Sequence, residues 1–215
     1  MRVVQIRQSG QLEGVVCLDD GSELVCPLSV LADFGLRKGQ ELPPNVLTQL
    51  CRESLRWRIR HTALRFLARR AHSRRELRSK LLRKFPEDSE LVESVLQTLA
   101  EEGYLDDAAY AEAFVCQRLE RSAASPARLV VELRQRGVDA ELAVSTVQRY
   151  LPDSALIEQA RRAAARKLRS LHRKAPEQRW RALAAYLGRQ GFPAAVIRRV
   201  LQESFPDTAG VEDVE

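Results

Sequence analysis

The sequence contains no long hydrophobic run. Its longest uncharged stretches are about ten residues, such as residues 42–51, whereas a membrane-spanning helix needs ~18 apolar residues. The first residues include Arg2, Arg7 and Glu13 and do not form the apolar segment of a secretory signal. With 45% hydrophobic and 30% charged residues the composition is that of a folded globular protein. We therefore expect a soluble, cytoplasmic protein.

Cysteine and histidine are both scarce, and neither is clustered. They are Cys17, Cys26, Cys51 and Cys116, and His61, His72 and His172. Without C-x-x-C spacing the cysteines predict neither a zinc site nor a redox pair, and we expect reduced, mostly buried thiols. A disulfide between Cys17 and Cys26 is the alternative, although a two-residue turn at Asp20-Gly21 would place Leu24, rather than Cys26, opposite Cys17.

Signatures of catalysis are also absent from the sequence. There is no glycine-rich phosphate loop, no G-x-S-x-G and no metal-ligand spacing. Asp106 and Asp107 are an acidic pair, but at a predicted helix start one aspartate caps the helix and its neighbour favours the helix dipole. His72 is expected to close the preceding helix. We therefore expect a protein that is not an enzyme and that binds no metal and no cofactor.

Positive charge is in excess and is sorted into zones. The chain has 35 lysines and arginines against 29 acids, a net charge of +6, and 30 of the 35 are arginine. Residues 52–84 carry a net +11, residues 85–120 a net −9, and residues 161–181 a net +8. Such zones either form solvated helix faces or make extended contacts with a polyanion or an acidic partner. A high arginine content can equally reflect genome composition.

The first 27 residues predict β-structure. Val4 and Ile6 alternate with polar neighbours, and two short apolar runs, residues 15–18 and 23–26, flank the turn signal at residues 19–21. This pattern predicts a three-stranded meander. A short helix at residues 29–34 and a linker at residues 39–44 follow.

The rest of the chain has helical periodicity that recurs about every fifty residues. Pro44 opens a helix that is predicted to reach Ala71, and Ser73 with Glu76 forms a capping box for the next helix. Leu82, Leu133 and Leu187 are 51 and 54 residues apart and mark the repeat. The predicted parts are an N-terminal meander and linker (residues 1–42), three three-helix modules (43–104, 105–152 and 153–204) and a frayed acidic tail (205–215).

Together these patterns predict a mainly all-α fold, an elongated tandem array of three-helix modules with a small N-terminal antiparallel β-meander. Arginines recur along the predicted outer faces of several helices, where they can bind phosphates or carboxylates or simply be solvated. The candidate partner-binding or DNA-binding residues are Arg58, Arg65, Arg69, Arg70, Arg74, Arg75, Arg78, Arg162, Arg166, Arg169 and Arg173. No aromatic residues interleave with them in the manner of single-strand-binding proteins, so base reading is not expected.

Several of these segments resemble the RecX regulatory family. The resemblance covers residues 55–204 and is carried by Ala63-Leu64-Arg65-Phe66-Leu67-Ala68-Arg69-Arg70, His72-Ser73-Arg74-Arg75-Glu76-Leu77, Lys80-Leu81, Gly103-Tyr104-Leu105-Asp106-Asp107 and Tyr110-Ala111. It implies tandem three-helix modules and a non-enzymatic regulator that binds along the groove of the RecA filament on DNA. Such a regulator suppresses strand exchange, ATP hydrolysis and co-protease function. Lys84-Phe85-Pro86 departs from the family, which usually has glycine after the lysine.

Three functional hypotheses follow from the sequence. The first is a RecX-like regulator that binds the RecA filament, either in its groove or at its end, and that contacts single-stranded and double-stranded DNA as a monomer. The alternative is a direct DNA-binding protein of helix-turn-helix type that acts through its arginines. The third is an unrecognised nuclease or hydrolase.

The tandem array predicts an extended particle in solution. A compact protein of 215 residues has a radius of gyration of about 17 Å. Because each module is expected to pack mainly on its sequence neighbours, we expect small-angle X-ray scattering to give a clearly larger value and an asymmetric distance distribution. A radius near the compact value would contradict the array.

Overall fold

The computed structural model describes residues 1–206 and places three strands and ten helices in them. The elements are β1 (Val3–Gln8), β2 (Glu13–Leu18), β3 (Glu23–Pro27), α1 (Leu28–Asp33), α2 (Pro44–Leu67), α3 (Arg74–Leu82), α4 (Ser89–Glu101), α5 (Asp107–Arg121), α6 (Pro126–Gln135), α7 (Ala140–Tyr150), α8 (Asp153–Ser170), α9 (Pro176–Gln190) and α10 (Ala194–Ser204). The fold is thus mainly helical with a small N-terminal sheet, as predicted.

Contacts group the chain into two compact units. The first consists of Met1–Ala71 and Leu77–Leu105, and the second of His72–Glu76 and the described chain from Asp106 onward. Helix α3 therefore contributes its first turn to the second unit and its remainder to the first. No helix within residues 1–206 combines the length and the apolar character that crossing a bilayer would require.

The sheet is an antiparallel meander in the order β1-β2-β3, and its register differs from the prediction. Cys17 lies opposite Glu23, and Leu24 lies opposite Val16. The cause is a three-residue loop instead of a two-residue turn: the amide of Leu18 donates to the carbonyl of Ser22 at 2.9 Å. The four cysteines are free thiols, as predicted, but the expectation that most of them are buried is wrong: only Cys26 is buried, and Cys51 is exposed.

Helix α2 serves two cores of the first unit. Near its start, Leu50 is fully buried with Val3, Val16 and Cys26 against the sheet. Ser54, also buried, donates to the Leu50 carbonyl at 2.8 Å and lies 3.0 Å from the Cys26 sulfur. Burial raises the pKa of the Cys26 thiol, and the hydrogen bond between Ser54 and Cys26 only partly opposes this rise. The small sheet is thus packed against the same helix that begins the helical part of the chain.

The second half of α2 packs with α3 and α4. Ile59 and Ala63 join a core of fully buried side chains that includes Leu77, Leu81 and Leu96. The helix ends at Leu67, four residues before the predicted end. His72 is buried just before α3, with its Nε2 atom 3.9 Å from a Glu76 carboxylate oxygen.

The second unit contains two helical cores. Helices α5, α6 and α7 enclose one core, and α8, α9 and α10 enclose the other. Phe205 belongs to the latter core and lies under the guanidinium of Arg179 at 5.7 Å. In contrast to the prediction, Phe205 therefore does not begin a frayed tail. Residues 207–215, the rest of that predicted tail, lie outside the described residues.

The fifty-residue repeat is visible in pairs of fully buried leucines. They are Leu77 and Leu81 in α3, Leu129 and Leu133 in α6, and Leu183 and Leu187 in α9. The sequence interpretation chose Leu82 as the first member, but Leu82 is only half-buried. It is Leu81 that corresponds to Leu133 and Leu187, because the buried position is the one preceded by another buried leucine one helical turn earlier.

A serine before the second helix of one repeat binds the backbone of the next repeat. Ser73 accepts the amide of Glu76 at 3.2 Å, which confirms this half of the predicted capping box, and its hydroxyl donates to the carbonyl of Arg136. Ser125 likewise accepts the amide of Arg128 at 3.2 Å and donates to the carbonyl of Gln190. Both serines are fully buried. We call these two arrangements the serine junctions.

A left-handed glycine follows the acceptor carbonyl in each serine junction. Gly137 has φ of +91° and Gly191 has φ of +84°. A Cβ atom on Gly137 would lie only 2.5 Å from the Cβ atom of Arg75. Gly137 is therefore required twice, once for its backbone conformation and once for the close approach of the α3 start.

We expect Gly137→Ala to destabilise the protein more than Gly103→Ala. Both positions have positive φ, +91° and +79°, so both substitutions incur the left-handed cost of about 1–2 kcal/mol. Gly103 has no atom within 4 Å of the added Cβ, whereas Gly137 adds an overpacking cost of about 1–3 kcal/mol. Urea unfolding of both variants measures the difference in the free energy of unfolding. Equal losses would show that Arg75 moves aside freely.

Candidate binding surfaces

Helix α8 separates its arginines into two groups. Its inner face buries Ala160, Ala163 and Ala164 in the last core. Arg161 binds Glu203 of α10 through two hydrogen bonds of 2.7 and 2.8 Å. These hydrogen bonds lower the pKa of the Glu203 carboxyl. The remaining arginines of the helix are left for solvent or for a partner.

The α8 ridge consists of Arg162, Arg166, Arg169 and Arg173, all of which are exposed. Because α8 ends at Ser170, Arg173 lies in the following turn and not on the helix as predicted. Arg162 donates to the carbonyl of Leu119 at 3.4 Å. Among residues 1–206 the guanidinium groups of the other three have no hydrogen-bond or ion-pair partner. Three guanidinium groups of the ridge are therefore available.

Helix α2 divides its arginines in the same way. Arg60 binds Glu102, the residue that follows α4, at 2.5 Å, and Arg56 reaches Thr98 of α4 at 3.4 Å. The α2 ridge, formed by Arg58, Arg65 and Arg69, is exposed. Within the described chain the guanidinium groups of these three arginines have no carboxylate or hydrogen-bond partner. Arg69 lies just beyond the end of α2, in the turn that follows it.

The other predicted arginines of this region have structural contacts. Arg70 donates to the Ala71 carbonyl at 3.1 Å. The backbone amide of Arg74 donates to Asp107, and the Arg78 guanidinium binds Glu93. Arg75 is exposed, but its side-chain carbons lie against Gly137. The eleven candidates therefore comprise two exposed ridges, one in each unit, and a set of residues that also support the fold.

A cleft of about 650 Å³ opens beside Arg75 in the second unit. Its lining combines Arg75 and Arg134 with Asp107 and Asp139, next to the exposed Val131. The two aspartates are occupied with helix starts. Hydrogen bonds from the amides of Glu141 and Leu142 lower the pKa of the Asp139 carboxyl. The charged groups that the cleft leaves available to a ligand are therefore the guanidinium groups of Arg75 and Arg134.

The acidic pair at the start of α5 caps two different helices. Asp106 accepts the amides of Ala108 and Ala109 at 2.8 and 2.9 Å, as predicted for a cap. Asp107 instead accepts the amide of Arg74 at 2.8 Å and so caps α3. The sequence interpretation missed this second cap, since no local pattern links residues that are 33 positions apart.

Many carboxylates of the acidic zone bind arginines within their own unit. Glu93, Glu102 and Glu112 bind Arg78, Arg60 and Arg149, the last pair at 2.6 Å. Beyond that zone, Glu132 accepts hydrogen bonds from both Arg118 and Arg128. Burial alone would raise the pKa of Glu132, but the two arginines outweigh it and lower the pKa. These carboxylates are thus paired within their own units, whereas the guanidinium groups of the two ridges have no carboxylate partner in the described residues.

The described residues contain no group of three or more histidines, cysteines or acids that could hold a metal ion. The candidate binding groups on the described surface are therefore the exposed arginines and the cleft.

Family models match each helical repeat in chain order. The first three-helix domain of RecX matches residues 60–99, the second matches 106–145 and the third matches 154–201. The second and third segments span most of α5 to α7 and of α8 to α10, and the first begins in the second half of α2 and runs through most of α4.

Individual relatives are similar over most of their length. A regulatory protein RecX from Halorhodospira halophila is 43% identical over 142 residues, which cover 65% of this chain and 84% of the relative. One from Geobacillus kaustophilus is 30% identical over 212 residues, covering 94% of this chain and 75% of the relative. A crystal structure of a regulatory protein RecX aligns with a TM-score of 0.74 at 22% identity, over 93% of this chain and 98% of that one.

We expect the α8 ridge to bind polyanions because its charges are concentrated, and not merely because the protein is basic. Arg166→Glu with Arg169→Glu should elute from a heparin column at lower salt than the wild type. Arg189→Glu with Arg198→Glu is the matched control, since it changes the net charge equally at two exposed arginines outside the ridge. Circular dichroism should show the same helical signal for both. Identical elution of the two variants would show that the ridge affects heparin binding only through the net charge of the protein.

Proposed function

Because the chain belongs to the RecX family, we propose that it is a regulator that binds the RecA recombinase filament and inhibits its activities. The inhibited activities are strand exchange, ATP hydrolysis and co-protease function. The protein acts by binding, without a catalytic step, as a cytoplasmic monomer. The observation that carries the proposal is that all three RecX three-helix domains match in their proper order.

The unpaired arginines support this mode of action. A filament on DNA presents carboxylates of its subunits and phosphates of the nucleic acid, and arginine binds both in bidentate geometry. The ridges on α2 and α8 belong to different three-helix domains. A polymeric partner can therefore be contacted at both the α2 ridge and the α8 ridge.

Affinity in such a complex comes from many weak contacts made together. A single exposed ion pair contributes only about 0.2–1 kcal/mol. Modules joined in one chain convert each later contact into an intramolecular event, so that several weak sites give tight binding. This arrangement suits a repetitive target, whether the protein lies in the filament groove or at the filament end.

A second candidate function is direct binding to DNA without the recombinase. The unpaired guanidinium groups of the two ridges favour it, because they are the groups that neutralise phosphates. Binding of this kind weakens steeply with salt: for single strands the slope of log K against log salt is about −0.7 per neutralised phosphate. In the proposed function the same contacts serve the DNA within the filament.

We expect increasing amounts of the protein to inhibit DNA-dependent ATP hydrolysis by RecA. Filament length measured by electron microscopy separates the two modes, because capping shortens filaments at sub-stoichiometric ratios, whereas coating saturates near the subunit ratio. The double variant Arg166→Glu with Arg169→Glu should inhibit less than the matched Arg189→Glu with Arg198→Glu. Salt-sensitive binding to bare DNA with no effect on ATP hydrolysis would reject the proposal in favour of the second candidate.

A further inference from the structure

Two aromatic rings stack on one another beside the α2 ridge. Trp57 and His61 are one helical turn apart on α2, their ring centroids are 4.9 Å apart, and the ring planes differ by 11°. Both side chains are half-buried. The rings therefore form a preformed, nearly parallel pair that keeps part of its surface accessible.

The core does not account for this pair. The four hydrophobic clusters of residues 1–206 include neither ring among their packed side chains. Within the same residues neither the indole N–H nor the imidazole nitrogens have a hydrogen-bond partner. A tryptophan that serves only packing usually lies in a core and satisfies its N–H when it is buried.

Positive charge predominates on the helix that carries the ring pair, and Glu53 lies one turn before Trp57 on the same stripe. Helix α2 contains five arginines, and Glu53 is its only acid. Arg65 lies one turn beyond His61, at the same four-residue spacing that separates Trp57 from His61, so these three residues follow one stripe of the helix. Arg58 lies on the adjoining stripe. Both arginines are exposed and lack a carboxylate partner in the described chain, whereas Arg60 is occupied by Glu102.

We propose that Trp57 and His61 form a base-stacking platform for single-stranded nucleic acid, with Arg58 and Arg65 binding the phosphates beside the stacked base. Every base has an aromatic face, so a platform of this kind tolerates any sequence, and the guanidinium groups follow the backbone. The inference deepens the proposed function and rests on it, since it assigns the contact with DNA to the α2 ridge.

The structure favours nucleic acid over a peptide on this surface. Two rings that are already parallel present the flat aromatic surface that a base requires. The neighbouring cations are spaced along the helix and are not gathered around a pocket for a single side chain. A peptide partner would use the same tryptophan as an interface anchor, and the experiment below distinguishes the two.

The test uses the full chain and two probes of equal length and charge, an oligothymidine and an abasic oligonucleotide. Trp57→Leu should weaken oligothymidine binding about 5- to 100-fold, the range supported by base–aromatic stacking, and leave binding of the abasic probe nearly unchanged. Trp57→Phe keeps an aromatic face and should retain most of the affinity. Arg65→Gln should weaken both probes equally and reduce the magnitude of the salt slope by about 0.7, the value for one phosphate contact on a single strand.

Thermal unfolding of each variant checks that the fold is intact. Equal weakening of both probes by Trp57→Leu, or no weakening of either, overturns the platform. If Trp57→Leu reduces only the inhibition of RecA, the rings contact protein and the inference is wrong while the proposed function stands. If oligothymidine binding depends on Trp57 but RecA is unaffected by the wild type, the platform stands and the proposed function falls.

Discussion

A buried serine hydroxyl fixes two successive repeats to one another, and the second unit contains two such bonds. Ser73 and Ser125 each accept an amide of the helix they begin and donate to a carbonyl at the end of a helix in the following repeat. An unpaired buried carbonyl or hydroxyl costs about 1–3 kcal/mol. Losing either bond is therefore costly, because both serine side chains are fully buried.

The serine junctions explain why charge could be left over for binding. Apolar leucines, left-handed glycines and these hydroxyls join the repeats, so packing does not require the arginines on the outer faces of α2 and α8. Arginines that do serve the fold, such as Arg60 and Arg161, have carboxylate partners within their own unit. The ridges and the ring pair are what remains after the requirements of the fold are met.

Local signals in the sequence predicted most helices, because helix starts and stops are encoded within a few residues. Asp106, Ser125 and Asp139 cap the helices they were expected to cap. Features that depend on distant residues were missed, such as Asp107 at the start of α3. The hairpin register was wrong because the number of loop residues depends on backbone geometry that the Asp19-Asp20-Gly21 signal does not specify.

The serine junctions also impose an order on biosynthesis. Their partners are 63 and 65 residues apart in the chain, so Ser73 emerges from the ribosome long before Arg136 is made. At about 5–20 residues per second the acceptor follows about 3 to 13 seconds later. During that interval the serine hydroxyl lacks its carbonyl partner and is hydrated. Each of the first two repeats thus completes its serine junction only after the following repeat has been translated.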